Sequence, residues 1–584
     1  MSQESNLSNY VAKNRELSIQ SFAKTTRIAI LSSFTINGIE DVFRVKCSEI
    51  NINCITYSAP YNQYNQEILN PKSDLYQFKP SITFLILDTR SMLGNLYYFP
   101  YSVSAIERRN FVQKKIDETA SMITAFIKNS DSKLIITNFN IPTYSPYGIL
   151  ENKTDYGFHE MVKNMNEKLL DVAKNLDSVY IYDFDRFTNY HGAEHVFDFR
   201  QYYYGDLKIA LKYFPYFVND LMGYVKAITG TSKKCIVLDL DNTLWGGIVG
   251  EDGFDGIKLG STSPGNAYVE FQRYLLSLWQ KGILLAINSK NNYDDAIQTI
   301  RNHPNMVLRE DNFANVHVNW ENKVDNMKEI AQELNLGLDS FVYFDDDPVN
   351  RASMIKHLPE VLTVDLPKDP SQFVSILAQM NDFNILSMTE EDLMRGQMYL
   401  QHKKRIELEK TATNLDDFLK DLDIKIKIKK ADKFTIPRIS QLTLKTNQFN
   451  LTTKRYQEED IRNFSQNDSM IVGCAQVEDK FGDNGITGVF IIKKENSSEW
   501  EIDTFLLSCR VMGREVEAGI LGYLLQKAKN ENVKKVKGKY VPTKKNKPCE
   551  SFLSNNGFKQ DGQNYVFQLE DQIKIPQHLV VSEE

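Results

Sequence analysis

Two aspartates, Asp239 and Asp241, close an apolar run at 235–238 and are followed by Thr243 and the pair Gly246 and Gly247. On a strand, residues i and i+2 point to the same face. Where such a strand ends in a loop, both carboxylates reach the C-terminal edge of a parallel sheet, the edge at which open α/β sheets bind ligands. Two adjacent acids do not both stay ionised cheaply without a counter-charge. A hard divalent cation with oxygen ligands, used beside phosphate, supplies that charge, and Mg2+ is the natural candidate. Taken alone, the DxDxT spacing reads equally well as a strand end with two solvated acids.

Three later segments change the balance. Residues 283–289 form a second apolar run ending in a hydroxyl, Ser289, followed by Lys290 and Asn291. Residues 319–323 open an amphipathic helix with an early lysine, Lys323, and a third run at 340–346 ends in Asp345 and Asp346. In this order the four segments resemble the four motifs of the haloacid dehalogenase (HAD) phosphotransferase superfamily. The resemblance implies Asp239 as a nucleophile that accepts a phosphoryl group and Asp241 as general acid and then base. It implies Thr243, Ser289, Lys290 and Asn291 on the phosphate, and Lys323 as the charge that neutralises it. It also implies Mg2+ held by Asp239, Asp241, Asp345 and Asp346.

A closer resemblance runs over nearly the whole chain. DLDNTLWGGIVGEDG (239–253), SKN (289–291), NWENKVDN (319–326), FDDDPVNR (344–351), QLTLKTNQFNLTTKRY (441–456) and FLLSCRVMGREVE (505–517) are similar to the FkbH-like branch of HAD proteins, subfamily IIIC. That resemblance implies a glyceryl transferase. A glyceryl unit from 1,3-bisphosphoglycerate, a small phosphorylated acyl donor, is loaded as a thioester onto a phosphopantetheinylated acyl carrier protein with loss of both phosphates. Polyketide extender-unit synthesis and surface-polysaccharide pathways are the settings implied. A plain HAD phosphomonoesterase is the alternative. Asp347 stands where the family tends to have asparagine and Asn350 where it commonly has glutamate, which alters loop charge without touching the four core roles.

Composition fits a large enzyme of this kind. The 584 residues are enough for about three to four domains. No apolar stretch approaches the roughly 20 residues of a membrane helix, and the polar, acid-containing start is unlike a signal peptide. The net charge of −7 argues against bulk nucleic-acid binding. The six cysteines (47, 54, 235, 474, 509 and 549) are scattered without a CxxC, as in a reducing cytoplasm.

The expected fold is α/β in three modules. Residues 1–230 alternate strand candidates (27–33, 54–58, 82–88, 133–138, 179–183) with amphipathic segments (104–128, 158–175), which means a doubly wound parallel sheet. Its resemblance is to an SGNH-hydrolase-like domain, with Ser32 and Ser33 after the first strand but no Asp-x-x-His partner, so a scaffold or docking role is favoured. Residues 231–380 are the Rossmann-like HAD core. A Gly-rich flap (245–260) and one helix (265–281) leave no space for a cap domain, so the site is open enough for a bulky partner.

Residues 381–422 read as a helical connector with a capping box at 389–392. Residues 423–584 resemble the GNAT acyltransferase fold, in which Arg510 and Gly513 would lie on a phosphate-binding loop at a helix N-terminus. Glu515 adds a negative charge there, which disfavours acetyl-CoA and is compatible with a pantetheinyl protein. Cys509 reads either as a thiolate acyl acceptor activated beside Arg510 and a helix N-terminus or as an inert buried thiol. The amides around Asn447 either line an acyl pocket or close a turn. Lysines 534, 535, 537, 539, 544, 545 and 547 form either a docking patch for an acidic carrier or a solvated face.

Overall fold

The computed structural model describes residues 6–17, 22, 24–388, 398, 401, 405, 414–543 and 545–584. The chain divides into two compact units, with the boundary between Val225 and Lys226. The first unit holds one sheet and the second holds two.

Five parallel strands make the first sheet: β1 (Lys24–Ser32), β2 (Ile52–Ser58), β3 (Ile82–Ile86), β4 (Lys133–Thr137) and β5 (Val179–Tyr182), in the order β2-β1-β3-β4-β5. All five positions expected from the sequence carry a strand. The inner strands are apolar and Ile-rich because helices cover both faces, leaving them little solvent side to alternate toward. The 25-residue helix Ala105–Asn129 starts at a capping box between Ser104 and Glu107.

The second sheet is also parallel, with β6 (Cys235–Leu238), β7 (Leu284–Ser289), β8 (Phe313–Val318), β9 (Phe341–Phe344) and β10 (Leu362–Thr363) in the order β10-β9-β6-β7-β8. β6 is therefore central, and its residues are fully buried. Between β6 and β7 lie only a short flap, pinned by paired backbone bonds between Gly246 and Lys258, and the helix Gly265–Gln280. No cap domain intervenes, as the spacing predicted.

The third sheet has nine strands, mostly antiparallel: β11 (Ile424–Lys430), β12 (Phe449–Asn450), β13 (Met470–Asp479), β14 (Gly482–Asn496), β15 (Glu499–Leu507), β16 (Lys535–Gly538), β17 (Lys559–Asp561), β18 (Asn564–Gln568) and β19 (Leu579–Glu583). β15 and β16 pair in parallel for only three residues, Glu499 to Glu501 against Lys535 to Lys537. Beyond that they separate, and β12 enters the gap. It pairs with Leu506 and Leu507 of β15, while the Leu451 carbonyl accepts from Val541 N on the other side. The segment thus bridges the diverging chains, pairing with β15 and bonding Val541 beyond the end of β16.

Elements flanking the second and third sheets touch directly. Asn335 Nδ2 donates to the Cys509 carbonyl at 2.8 Å, Lys545 pairs with Asp339, and a Cβ on Gly230 would meet the Leu444 carbonyl at 2.3 Å. That separation requires glycine, and Gly230 also has φ +70°. The expected capping box at 389–392 lies outside the described residues. The third-module helix, expected over 513–529, is Val516–Asn530. It starts later because Gly513 and Glu515 both have positive φ, which no helical turn accommodates.

Candidate active site

The second sheet delivers its acids to one edge. β6 ends at Leu238, and the next residue, Asp239, is 7% exposed. Its Oδ1 accepts from Leu240 N at 2.8 Å, and its Oδ2 lies 2.8 Å from Lys323 Nζ. β9 ends at Phe344 and leads into Asp345, which is fully buried. Asp345 Oδ2 lies 2.6 Å from the same ammonium and also accepts from the Tyr343 hydroxyl, while Oδ1 accepts from Asp347 N at 2.9 Å. Arg351 holds the following turn by donating to the Asp345 and Asp346 carbonyls at 2.9 and 2.7 Å.

Lys323 reaches this point because Asn322 caps its helix, accepting from Val324 N at 2.9 Å. Below it, Asn288 Nδ2 donates to the Lys323 carbonyl, and Asn326 donates to both Asn288 and Asn319. This buried amide chain fixes β7, the loop after β8 and the start of the lysine helix relative to one another.

One oxygen each from Asp239, Asp345 and Asp346 lies within 4.8 Å of the other two. Lys323 pairs with two of these three carboxylates, so the donor set is all oxygen and carries excess negative charge, which fits a hard divalent cation. The strain shows in the proton affinities. Burial pushes the Asp239 carboxyl above its usual range, with Lys323 pulling against that and Asp345 adding to it. Burial, helped by Asp239 and Asp345, pushes Asp346 up to about 6. Burial opposes the charge on Lys323, but the two carboxylates outweigh it and raise its pKa.

The sequence suggested four metal-binding carboxylates, and the geometry brings three together. Asp241 is held elsewhere: Oδ1 accepts from Trp245 Nε1 at 2.8 Å and Val249 N at 3.1 Å, and Oδ2 from Asn291 Nδ2 at 2.8 Å. The reason is local. Asn242 adopts φ +53°, and the chain closes a tight turn with Leu244 N on the Leu240 carbonyl. The turn aims Asp241 at its own loop rather than at Asp345.

Ser289, at the end of β7, is 1% exposed, and its hydroxyl draws the raised Asp239 carboxyl back down. Thr243 is fully buried, and among the described residues its hydroxyl has no partner. Asn291 is buried against Asp241, whereas Lys290 is exposed. Tyr343, Trp245, Arg351, Asn288 and Asn326 were not singled out by sequence reasoning. Tyr343 sits inside an apolar strand, where an aromatic reads as core. The paired asparagines in NWENKVDN were the available signal for the amide chain.

The remaining candidates lie apart from this edge. Asn335, which holds the Cys509 carbonyl, precedes the N-terminal end of β9, whereas Asp345 follows its C-terminal end, about 13 Å away along a four-residue strand. Cys509 packs with Leu338 against the apolar cluster that contains Cys235. Asn447 Oδ1 accepts from Arg455 Nη2 at 2.6 Å, in the segment leading to β12. Arg510 Nε reaches Ser508 Oγ at 3.4 Å, and Gly513 has φ +79° with open space around it. Of the lysine run, Lys535 and Lys537 both pair with Glu499, and Lys545 with Asp339.

Residues 27–226 match the family model described as FkbH, N-terminal domain. Among solved structures it is similar to the N-terminal part of BF1531 from Bacteroides fragilis, described as containing a phosphatase domain complexed with Mg. The identity is 27%, the TM-score 0.60, and the match covers 66% of this chain and all of that one. About a quarter of the chain is also similar to a GNAT-family acetyltransferase from Staphylococcus aureus Mu50, at 15% identity and TM-score 0.20 with 99% of that chain covered. Rv2747 from Mycobacterium tuberculosis, solved with CoA and NLQ, matches 23% of this chain and 72% of its own at 19% identity and TM-score 0.19. No curated protein matches the chain.

Proposed function

We propose that the chain is a magnesium-dependent HAD-type phosphatase whose second sheet removes a phosphoryl group through Asp239. The observation that carries this reading is the convergence of Asp239, Asp345 and Asp346 on one point, with Lys323 bridging two of them. The Mg described with the Bacteroides phosphatase domain supports the same ion here. Asp239, Asp345 and Asp346 would hold it, and when bound it supplies charge stabilisation to the phosphate oxygens.

In this reading an Asp239 oxygen attacks phosphorus, and the ester P–O bond breaks. The leaving oxygen takes the proton of Asp241, which Trp245, Val249 N and Asn291 hold in place. Water then attacks the aspartyl phosphate, gives its proton to Asp241, and restores Asp239 as inorganic phosphate departs. Ser289 and Lys323 hold charge on the transferring group.

The finer reading is glyceryl transfer to a carrier protein. A thiolate attacks the acyl carbonyl of 1,3-bisphosphoglycerate, the acyl–phosphate bond breaks, and Asp239 afterwards removes the remaining phosphate monoester. The separation of Cys509 from Asp239 favours the carrier's own pantetheine thiol as acceptor, since a long flexible arm can visit an uncapped site. The test is intact-protein mass spectrometry of a holo carrier incubated with this chain, Mg2+ and 1,3-bisphosphoglycerate generated in situ. A mass gain of one unphosphorylated glyceryl thioester is expected. Released phosphate with an unmodified carrier would leave the plain phosphomonoesterase.

A further inference from the structure

The first unit contains a cavity of about 410 Å³ at the C-terminal edge of its sheet. Asp88 follows β3, Asn140 follows β4, and the far wall comes from the segment between Ala193 and Lys208. The C-terminal edge of a parallel sheet is where doubly wound folds bind ligands, and this cavity takes its strand-end lining from β3 and β4.

The charges around the cavity are unequally satisfied. Lys208 is 8% exposed, pairs with Asp88 and lies 3.7 Å from Asp206, so its charge is neutralised within the wall. Asp198 is occupied as a helix cap, accepting from Arg200 N and Gln201 N at 3.0 Å. Arg90 differs. Its guanidinium lies 4.9, 5.2 and 4.5 Å from the ring centroids of Tyr97, Tyr98 and Tyr202. Among the described residues no carboxylate forms an ion pair with it. The rings surround the guanidinium without neutralising its charge, which leaves it able to hold an anion.

The other lining groups narrow the class of ligand. Tyr97, Tyr144 and Tyr202 present aromatic surface, while Asn140, Thr143 and Glu194 present groups able to bind hydroxyls. Among the described residues the lining contains no histidine. The two serines after β1 are engaged by the backbone: Ser32 Oγ accepts from Phe34 N at 3.1 Å and Ser33 Oγ from Asp88 N at 3.0 Å.

We propose that this cavity is a binding site, without hydrolytic chemistry of its own, for a small hydroxylated organic anion of the sugar-phosphate or sugar-acid class. Arg90 takes the anionic group, the tyrosines take the apolar face of the ring, and Asn140, Thr143 and Glu194 take hydroxyls. The volume lies in the range of small-molecule sites. The proposal is independent of the phosphatase reading.

The test is titration calorimetry on the full chain carrying Asp239→Asn, in EDTA, so that the second sheet neither turns over nor holds a metal-bound phosphate. The probes are glucose 6-phosphate, glucuronate, glycerol 3-phosphate and neutral glucose. Saturable 1:1 binding of at least one anionic probe is expected, weakened about tenfold or more by Arg90→Gln and by Tyr202→Ala. Phosphatase activity of the chain carrying either variant alone should be unchanged. A phosphate ester binding alone would assign the site to sugar phosphates, and glucuronate alone to sugar acids. No saturation by any anion, glucose binding as tightly as the anions, or binding unaffected by both variants would overturn the proposal.

Discussion

Trp245 Nε1 donates to Asp241 Oδ1 at 2.8 Å, and the indole that carries it is completely buried. The acid assigned to the leaving group is thus fixed by a side chain four residues further along the same loop. Trp245→Phe keeps most of the volume and removes the donor. It should lower kcat about tenfold on an alkyl phosphate, whose leaving oxygen needs a proton, and much less on p-nitrophenyl phosphate, whose leaving group does not. Comparing steady-state rates on the two substrates checks this, since a purely structural defect would slow both equally.

Asp239→Asn should reduce phosphate release by at least about a thousandfold while leaving the fold intact. Rapid acid quench with a 32P-labelled substrate should find a protein-bound phosphoryl group in the parent and none in the variant.

The Tyr343 hydroxyl donates to Asp345, which Lys323 also holds. Tyr343→Phe removes one support of a metal-binding carboxylate and should weaken Mg2+ binding by about tenfold or more. Activity titrated against Mg2+ should recover at high concentration, which distinguishes a positioning residue from a catalytic one.

Raised carboxylate pKa values make the metal-free protein pH-sensitive in a defined direction. The folded state holds protons on Asp239 and Asp346 that the unfolded chain releases at lower pH. The stability tied to those protons is present at acid pH and is lost as pH rises toward about 6, the Asp346 value. Mg2+ replaces them, so the rise in Tm on adding Mg2+ should grow between about pH 5 and about pH 7. Paired thermal melts with and without EDTA measure it, and a pH-independent increment would contradict the assignment.

Two ion pairs of the second unit should behave oppositely. Lys545 and Asp339 are both substantially exposed, and Asp339→Asn should cost less than about 1 kcal/mol. The Asp479 side chain is fully buried, receives Arg405 through two bonds of 2.7 and 2.8 Å, and lies 3.1 Å from Arg514. Asp479→Asn removes the carboxylate that two buried arginines share and should cost about 3–5 kcal/mol. Urea unfolding of the two variants gives the comparison.

Much of this arrangement was legible in the sequence, and the limits have physical causes. The five strands of the first unit could be read because a doubly covered parallel sheet needs continuous apolar runs. Asp239, Lys323 and Asp345 could be placed because each follows a strand or opens a helix, so local periodicity fixes its edge. Asp241 could not be separated from the metal-binding group, because its direction depends on the left-handed turn at Asn242. The entry of β12 between β15 and β16 was equally hidden: a two-residue strand has no periodicity, and its reason for existing is a gap made by elements distant in the chain. The Arg90 cavity was missed because its residues, spread from 88 to 208, share no spacing.

The strand order of the second sheet also has a temporal meaning. β6 lies between β7 and β9, and its register with β9 joins Cys235 to Phe341, residues about a hundred positions apart. Such non-local parallel pairing forms slowly, because chain entropy is lost before the contacts compensate for it. Asp239 is in place once β6 pairs with β7, but Asp345 and Asp346 arrive only with β9. A sheet in which β6 has paired only with β7 therefore presents one of the three aspartates and no ion site.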